Sequence, residues 1–145
     1  MKLLLTIEPI PASAWGKSLA SLLPRKEWDE IRTKCYREAG YKCEICGNSI
    51  GDLEAHEVWG FDDRKNIMFL KFIICLCELC HGVKHIGRSM VVNGKRYFKI
   101  LIQHWCSVNG KTEKDFEAYQ AEIMEQNRKR ANKFYQVRVG KRILT

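Results

Sequence analysis

Two cysteine knuckles limit what this chain can fold into more than any other feature. Cys43-Glu44-Ile45-Cys46 and Cys77-Glu78-Leu79-Cys80 are Cys-x2-Cys pairs separated by thirty residues. In each pair the two intervening residues let both thiolates turn toward one point, and two such pairs supply the four sulfurs of a closed tetrahedral zinc site. Gly47 follows the first knuckle, where a tight turn favours a residue with no Cβ. The chain has seven cysteines, an odd number with four of them in knuckles, which argues for metal and a reducing, cytoplasmic setting over a disulfide framework.

The segment between and after the knuckles carries the histidines. Leu53 to Trp59 reads as a short strand with His56 at its centre, followed by a polar, turn-prone stretch from Gly60 to Asn66. Ile67 to Leu76 is a long β-branched and aromatic run, a second strand. The second knuckle then opens a helix, on which His81 and His85 stand at i and i+4, so both imidazoles can reach a single ion. Cys75 alternates with Cys77 and competes with it as a ligand, but the pair beside His81 favours Cys77. Cys35, Cys75 and Cys106 read as small buried hydrophobes. His104, on a helix with Leu101, Trp105 and Val108, reads as a packing histidine.

The order of strand with histidine, loop with Asp and Asn, strand, and helix with His-x3-His resembles the HNH endonuclease family in its ββα-metal form, stapled by a four-cysteine zinc. The resemblance covers about forty-five residues, 41–87. Ile7-Glu8-Pro9-Ile10-Pro11, Trp15-Gly16 and Leu23-Pro24-Arg25 up to Trp28 also look like the leader of small bacterial and phage HNH proteins. The resemblance implies an α+β fold with His56 as general base and Asn66 as the middle asparagine. Cys43, Cys46, Cys77 and Cys80 would hold a structural Zn2+. His81 and His85 would hold a catalytic divalent ion such as Mg2+, Mn2+, Ni2+ or Zn2+. The implied reaction is hydrolysis of a nucleic-acid phosphodiester to a 5′-phosphate and a 3′-hydroxyl. Two positions depart from the family pattern. Ala55 stands where the family has Asp or His as a further metal ligand, and Phe72 stands where its asparagine normally falls, with Asn66 eleven residues before Cys77. Asp62, Asp63, Glu54 and Glu57 are the acids that can supply the missing oxygen ligand. These departures keep a rival open: a non-catalytic, zinc-stapled nucleic-acid-binding or protein-interaction module with a degenerate site.

At 145 residues the chain reads as one domain, with a core over about 41–87, N-terminal support over 1–40 and a helical basic extension over 88–145. Met1 to Leu5 resembles the start of a signal peptide, but Glu8 and Pro9 cut the apolar run. No membrane-spanning segment and no membrane partner are expected. Leu3 to Glu8 alternates as a short strand. Trp28, Ile31, Cys35 and Ala39 follow helical spacing, with Gly40 as the stop. Asn93-Gly94 signals a turn, residues 96–108 read as a helix, and Thr112 with Asp115 resembles a capping box for a helix running to about residue 134. A net charge of +8 suits a polyanionic partner, a nucleic acid and first of all DNA. Arg128, Lys129, Arg130 and Lys133 are the expected phosphate contacts. The same cations also suit a solvated helix end, where they complement the dipole.

Overall fold

The computed structural model describes residues 2–145 and shows a mixed α+β fold. The β-branched and aromatic runs form a long antiparallel hairpin, β1 (Leu53–Asp62) and β2 (Ile67–Cys77). Its turn is made locally. The Asp62 carboxylate accepts the backbone N–H groups of Arg64 and Lys65, at 3.1 and 3.0 Å, and Asn66 takes a left-handed conformation with φ 54°. The register sets His56 opposite Ile74. Val58 faces Phe72 and Trp59 faces Leu70, so Lys71 is an extra residue bulged out of β2.

Side chains alternate along β1, so His56 shares a face with Glu54 while Glu57 points the other way. The two helices before the hairpin, α1 (Leu19–Leu22) and α2 (Arg25–Glu38), lie on the Glu57 side, where Glu57 accepts the N–H of Leu19 at 2.5 Å. The spacing of Trp28, Ile31, Cys35 and Ala39 does produce α2, although none of its residues is fully buried. On the His56 side sits α3 (Glu78–Lys84), which begins at the second knuckle with the Cys77 side chain as its N-cap. The chain turns at His85 directly into α4 (Ile86–Asn109), and the Ser89 hydroxyl ties this joint to the carbonyls of Gly82 and His85, both at 3.1 Å. The expected turn at Asn93-Gly94 is a break inside α4, where Gly94 has φ 85° and ψ 177°. The capping box at Thr112 and Asp115 starts α5 (Glu113–Lys129).

Two expectations are corrected. Leu3 to Glu8 is not a strand. Its alternation buries Leu5 and Ile7 among Trp105, Leu101 and Phe116 of the helices. Its backbone is satisfied there too. The Asn109 side chain takes the N–H groups of Leu4 and Leu5 at 2.8 and 3.0 Å and gives one to the Leu5 carbonyl at 3.0 Å. Ile7 N–H reaches the Tyr119 hydroxyl and Glu8 N–H reaches the Lys84 carbonyl, both at 2.9 Å. The C-terminal extension is not helical throughout either. After α5 it returns as β3 (Gln136–Val139), parallel to β2, and β4 (Arg142–Ile143), giving the sheet order β1-β2-β3-β4. Val137 carries this tail by burial, and Tyr135 with Met68 and Ala14 makes a second small core. Among the described residues no helix is long and apolar enough to cross a membrane.

Asn109 is thus the clasp that holds the leader. Asn109→Ala leaves the half-buried N–H and carbonyl of Leu5, and the exposed N–H of Leu4, without this partner, and should lower unfolding stability by about 1–3 kcal/mol in urea titration. An exposed residue such as Lys111, changed to Ala, should stay within about 0.5 kcal/mol.

Candidate metal centre

The knuckles meet as their spacing demands. Cys43, Cys46, Cys77 and Cys80 place their sulfurs within 4.8 Å of one another, a set that can hold a metal ion such as zinc. Gly47 has φ 78°, and its N–H closes the first knuckle on the Cys43 carbonyl at 2.9 Å. Glu44 clamps that knuckle to β2: its backbone N–H reaches the Cys75 carbonyl at 2.9 Å and its carboxylate takes the Cys75 N–H at 2.6 Å. Cys75 is buried and stays outside the cluster; Cys35 and Cys106 also stay outside it but are only half-buried, not the buried hydrophobes expected. The Cys80 thiol and backbone N–H groups hold Cys43 down at about 4 against the opposing effect of burial, whereas burial pushes Cys77 up to about 11. A cation among four crowded sulfurs removes the remaining protons. His104, read from sequence as a packing residue, places Nε2 3.2 Å from the Cys80 sulfur. It is an outer partner of the cluster.

The second convergence joins β1 to α3. His56, His81 and His85 bring one ring nitrogen each within 4.8 Å of one another. Their ring centroids are 5.2, 5.1 and 4.9 Å apart, each pair edge to face. His81 and His85 reach this point by helical spacing, and His56 reaches it because the register sets it three residues before the Cys77 end of the hairpin. Burial, with Arg88 nearby, holds His81 down at about 4. Burial, with the other two imidazoles, holds His85 down at about 3. Both are therefore neutral at pH 7, the form that ligates metal.

Carboxylates stand behind two of the rings. Glu54 hydrogen-bonds His81 Nδ1, and Glu8, from the leader, lies 3.1 Å from His56 Nε2. The other oxygen of Glu8 is paired with the ammonium of Lys84, which also donates to the Thr6 hydroxyl at 2.8 Å. Burial works to raise the Glu8 carboxyl, but the His56 bond and the Lys84 charge outweigh it and hold it at about 2. Glu8 also lines a cavity of about 160 Å³ together with Glu57, Trp59, Phe61 and Arg130. Glu57 itself is pushed up by burial, against the N–H groups of Leu19 and Trp59.

The other expected residues lie apart. Asn66 is in the hairpin turn beyond the Asp62–Ile67 pair, where its carbonyl accepts the N–H of Gln136 at 2.9 Å. It does not approach His56. Asp62 shapes the turn, and Asp63 is engaged by Arg130 through 3.0–3.2 Å contacts, by the Tyr135 hydroxyl at 2.6 Å, and through its carbonyl by Lys133 at 2.8 Å. Arg130 also lies 4.5 Å over the Phe61 ring. Arg128 is exposed and pairs with Glu125 at 2.5 Å, and Lys129 is exposed. Two of the four expected phosphate contacts are thus fixed to the hairpin turn. Glu8 and Lys84 are the site residues that the motifs missed. The buried alternation of the leader was the available signal, but nothing in it shows which histidine Glu8 meets.

Compared with protein-family models, characterised proteins and solved structures, the chain gives no match.

Cys43→Ser should remove tightly held zinc and most of the cooperative unfolding transition, since zinc supplies on the order of 10 kcal/mol in small metal modules. His104→Ala should weaken zinc by roughly 10- to 100-fold in competition with a chelator while leaving the fold intact. Cys106→Ser should change neither quantity.

Proposed function

We propose that this chain is a metal-dependent hydrolase of nucleic-acid phosphodiesters, of the HNH kind, with a divalent cation held by His56, His81 and His85 and a structural zinc held by the four cysteines. The observation that carries the reading is the convergence of three imidazoles beside a four-cysteine cluster. The donor set fits the group. Two of the imidazoles are kept neutral by burial, and three nitrogens leave coordination positions open, as a catalytic site requires and a closed four-sulfur site does not. His56 is read here as a third ligand, which makes good the ligand that Ala55 cannot supply; the general-base role expected of it is set aside. A divalent cation supplies Lewis acidity at a phosphoryl oxygen and acidifies water. The chain's own part is to hold three ring nitrogens on one point, to keep Glu8 charged behind one of them, and to leave one side of the cluster accessible. His81 and His85 are half-buried, whereas His56 is fully buried.

The net charge of +8 supports a polyanionic substrate. Arg128 and Lys129 remain as candidate phosphate contacts, whereas Arg130 and Lys133 serve the hairpin turn. The position of Asn66 favours a second reading, a module that binds metal and nucleic acid without turnover.

Plasmid nicking with Mg2+, Mn2+ or Ni2+, run beside a gel shift on the same preparations, tests both. Wild type should bind and nick. His81→Ala and His56→Ala should both lose nicking and the second metal ion while keeping the zinc and the gel shift. Nicking lost in His56→Ala with second-ion affinity unchanged would return His56 to the role of general base. Binding without nicking under every metal would leave the non-catalytic module. Reversing the charges of Arg128 and Lys129 should flatten the salt dependence of binding by about one unit of slope per lost contact.

A further inference from the structure

The leader brings a charged group into the centre, and none of the motif residues accounts for it. Glu8 lies forty-eight residues from His56 in sequence, yet its Oε1 is 3.1 Å from His56 Nε2. The carboxylate is held from its other side by Lys84, whose side chain is only 5% exposed, and Thr6 holds Lys84 in turn. The backbone N–H of Glu8 is bonded to the Lys84 carbonyl at 2.9 Å, so main chain and side chain are fastened to the same residue of α3. The group of mutually close donors contains the three imidazoles and leaves Glu8 outside it. Of the three imidazoles, His56 is the one to which Glu8 is hydrogen-bonded.

A carboxylate can only accept, so the hydrogen bond places the proton of a neutral His56 on Nε2 and leaves the lone pair on Nδ1. Glu54 does the same to His81 with the nitrogens reversed, since it meets Nδ1 and leaves Nε2. Carboxylates behind metal-binding imidazoles fix both tautomer and ring orientation. We propose that Glu8 is a positioning residue of the three-histidine site: by accepting the Nε2–H of His56 it commits that imidazole to offer Nδ1 to a divalent cation, with Lys84 holding the carboxylate in place. This rests on the three-histidine reading above. The leader is then a component of the metal site as well as a packed strap, because the site is tuned from outside the strand–strand–helix unit that supplies its ligands.

Cobalt tests it, using full-length protein already carrying one zinc in the four-cysteine site. Co2+ among nitrogens gives visible d–d bands, whereas Co2+ among thiolates adds charge-transfer absorption in the near ultraviolet, so the two sites are read separately. In Glu8→Gln the amide can turn an N–H toward His56 Nε2 and favour the opposite tautomer. Co2+ affinity should fall roughly 10- to 100-fold, with an altered visible spectrum and unchanged zinc content. In a His56→Ala background, Glu8→Gln should produce no further weakening. If Glu8→Gln leaves Lys84 unpaired and fails to fold, Glu8→Gln combined with Lys84→Met removes both charges, and is judged by the same affinity and spectrum. Glu8→Gln binding Co2+ with wild-type affinity and spectrum overturns the proposal, and so does an equal weakening with His56 absent. Wild type that takes up no Co2+ outside the thiolates overturns it together with the three-histidine site. The expected Co2+ pattern without any nicking sinks the hydrolase reading and leaves the positioning role standing.

Discussion

The closure of four sulfurs on one point is the constraint on which the rest of the molecule depends. It joins the loop before β1 to the end of β2, and the same Cys77 that closes it caps α3. One junction thereby fixes the root of the hairpin and the direction of the helix. His81 directly follows Cys80, His85 lies one turn further on, and His56 is set by register against Ile74, three residues before Cys77. An ion held at the sulfurs would supply on the order of 10 kcal/mol, against a net stability of about 5–15 kcal/mol for a typical domain. The geometry of the second site is therefore inherited from the first.

The two clusters differ in a way that follows from their donors. Thiolates suit zinc and close a tetrahedron, whereas three imidazoles form one face and leave the remainder open. The sulfur cluster has a histidine partner in His104, and the nitrogen cluster has carboxylate partners in Glu8 and Glu54. In each case the outer partner comes from a different element than the ligand it meets: α4 for Cys80, the leader for His56 and β1 for His81. The ligands are local in sequence, but their support is not.

That difference explains what could be read from the sequence. The knuckles, the Gly47 turn, both hairpin strands, the i, i+4 histidines and the Thr112–Asp115 cap are patterns within a few residues, and the structure contains each of them. Period-two burial in Leu3 to Glu8 suggests a strand because the pattern reports an extended chain and cannot say whether a sheet or a helix satisfies its backbone; here Asn109, Tyr119 and Lys84 do so. The return of residues 136–139 alongside β2 is a parallel pairing across some seventy residues, and no local signal specifies such a partner. Arg130 and Lys133 looked like free cations because Asp63, which engages them, lies in a turn far away in sequence. The asparagine of the HNH pattern has no counterpart at its usual spacing for a simpler reason: β2 carries Phe72 there, on an exposed stretch beside the Lys71 bulge.

The Glu8–Lys84 pair shows how far stability alone can account for the centre. Desolvating two charges costs several kcal/mol per ion, and a buried pair is often no more stable than apolar residues of the same volume. The leader already has Leu5 and Ile7 in the core and Asn109 on its backbone, so the pair is not needed to hold it. Losing one member is another matter, because an unpaired buried charge costs about 3–5 kcal/mol. Lys84 therefore makes sense as the group that lets a carboxylate stay ionised where burial would otherwise favour its neutral form. The beneficiary of that charge is the atom on Glu8's other side, His56 Nε2. An ion pair that adds little to the fold faces the one buried imidazole of a cluster that could hold a metal ion, which is the arrangement the proposed positioning role requires.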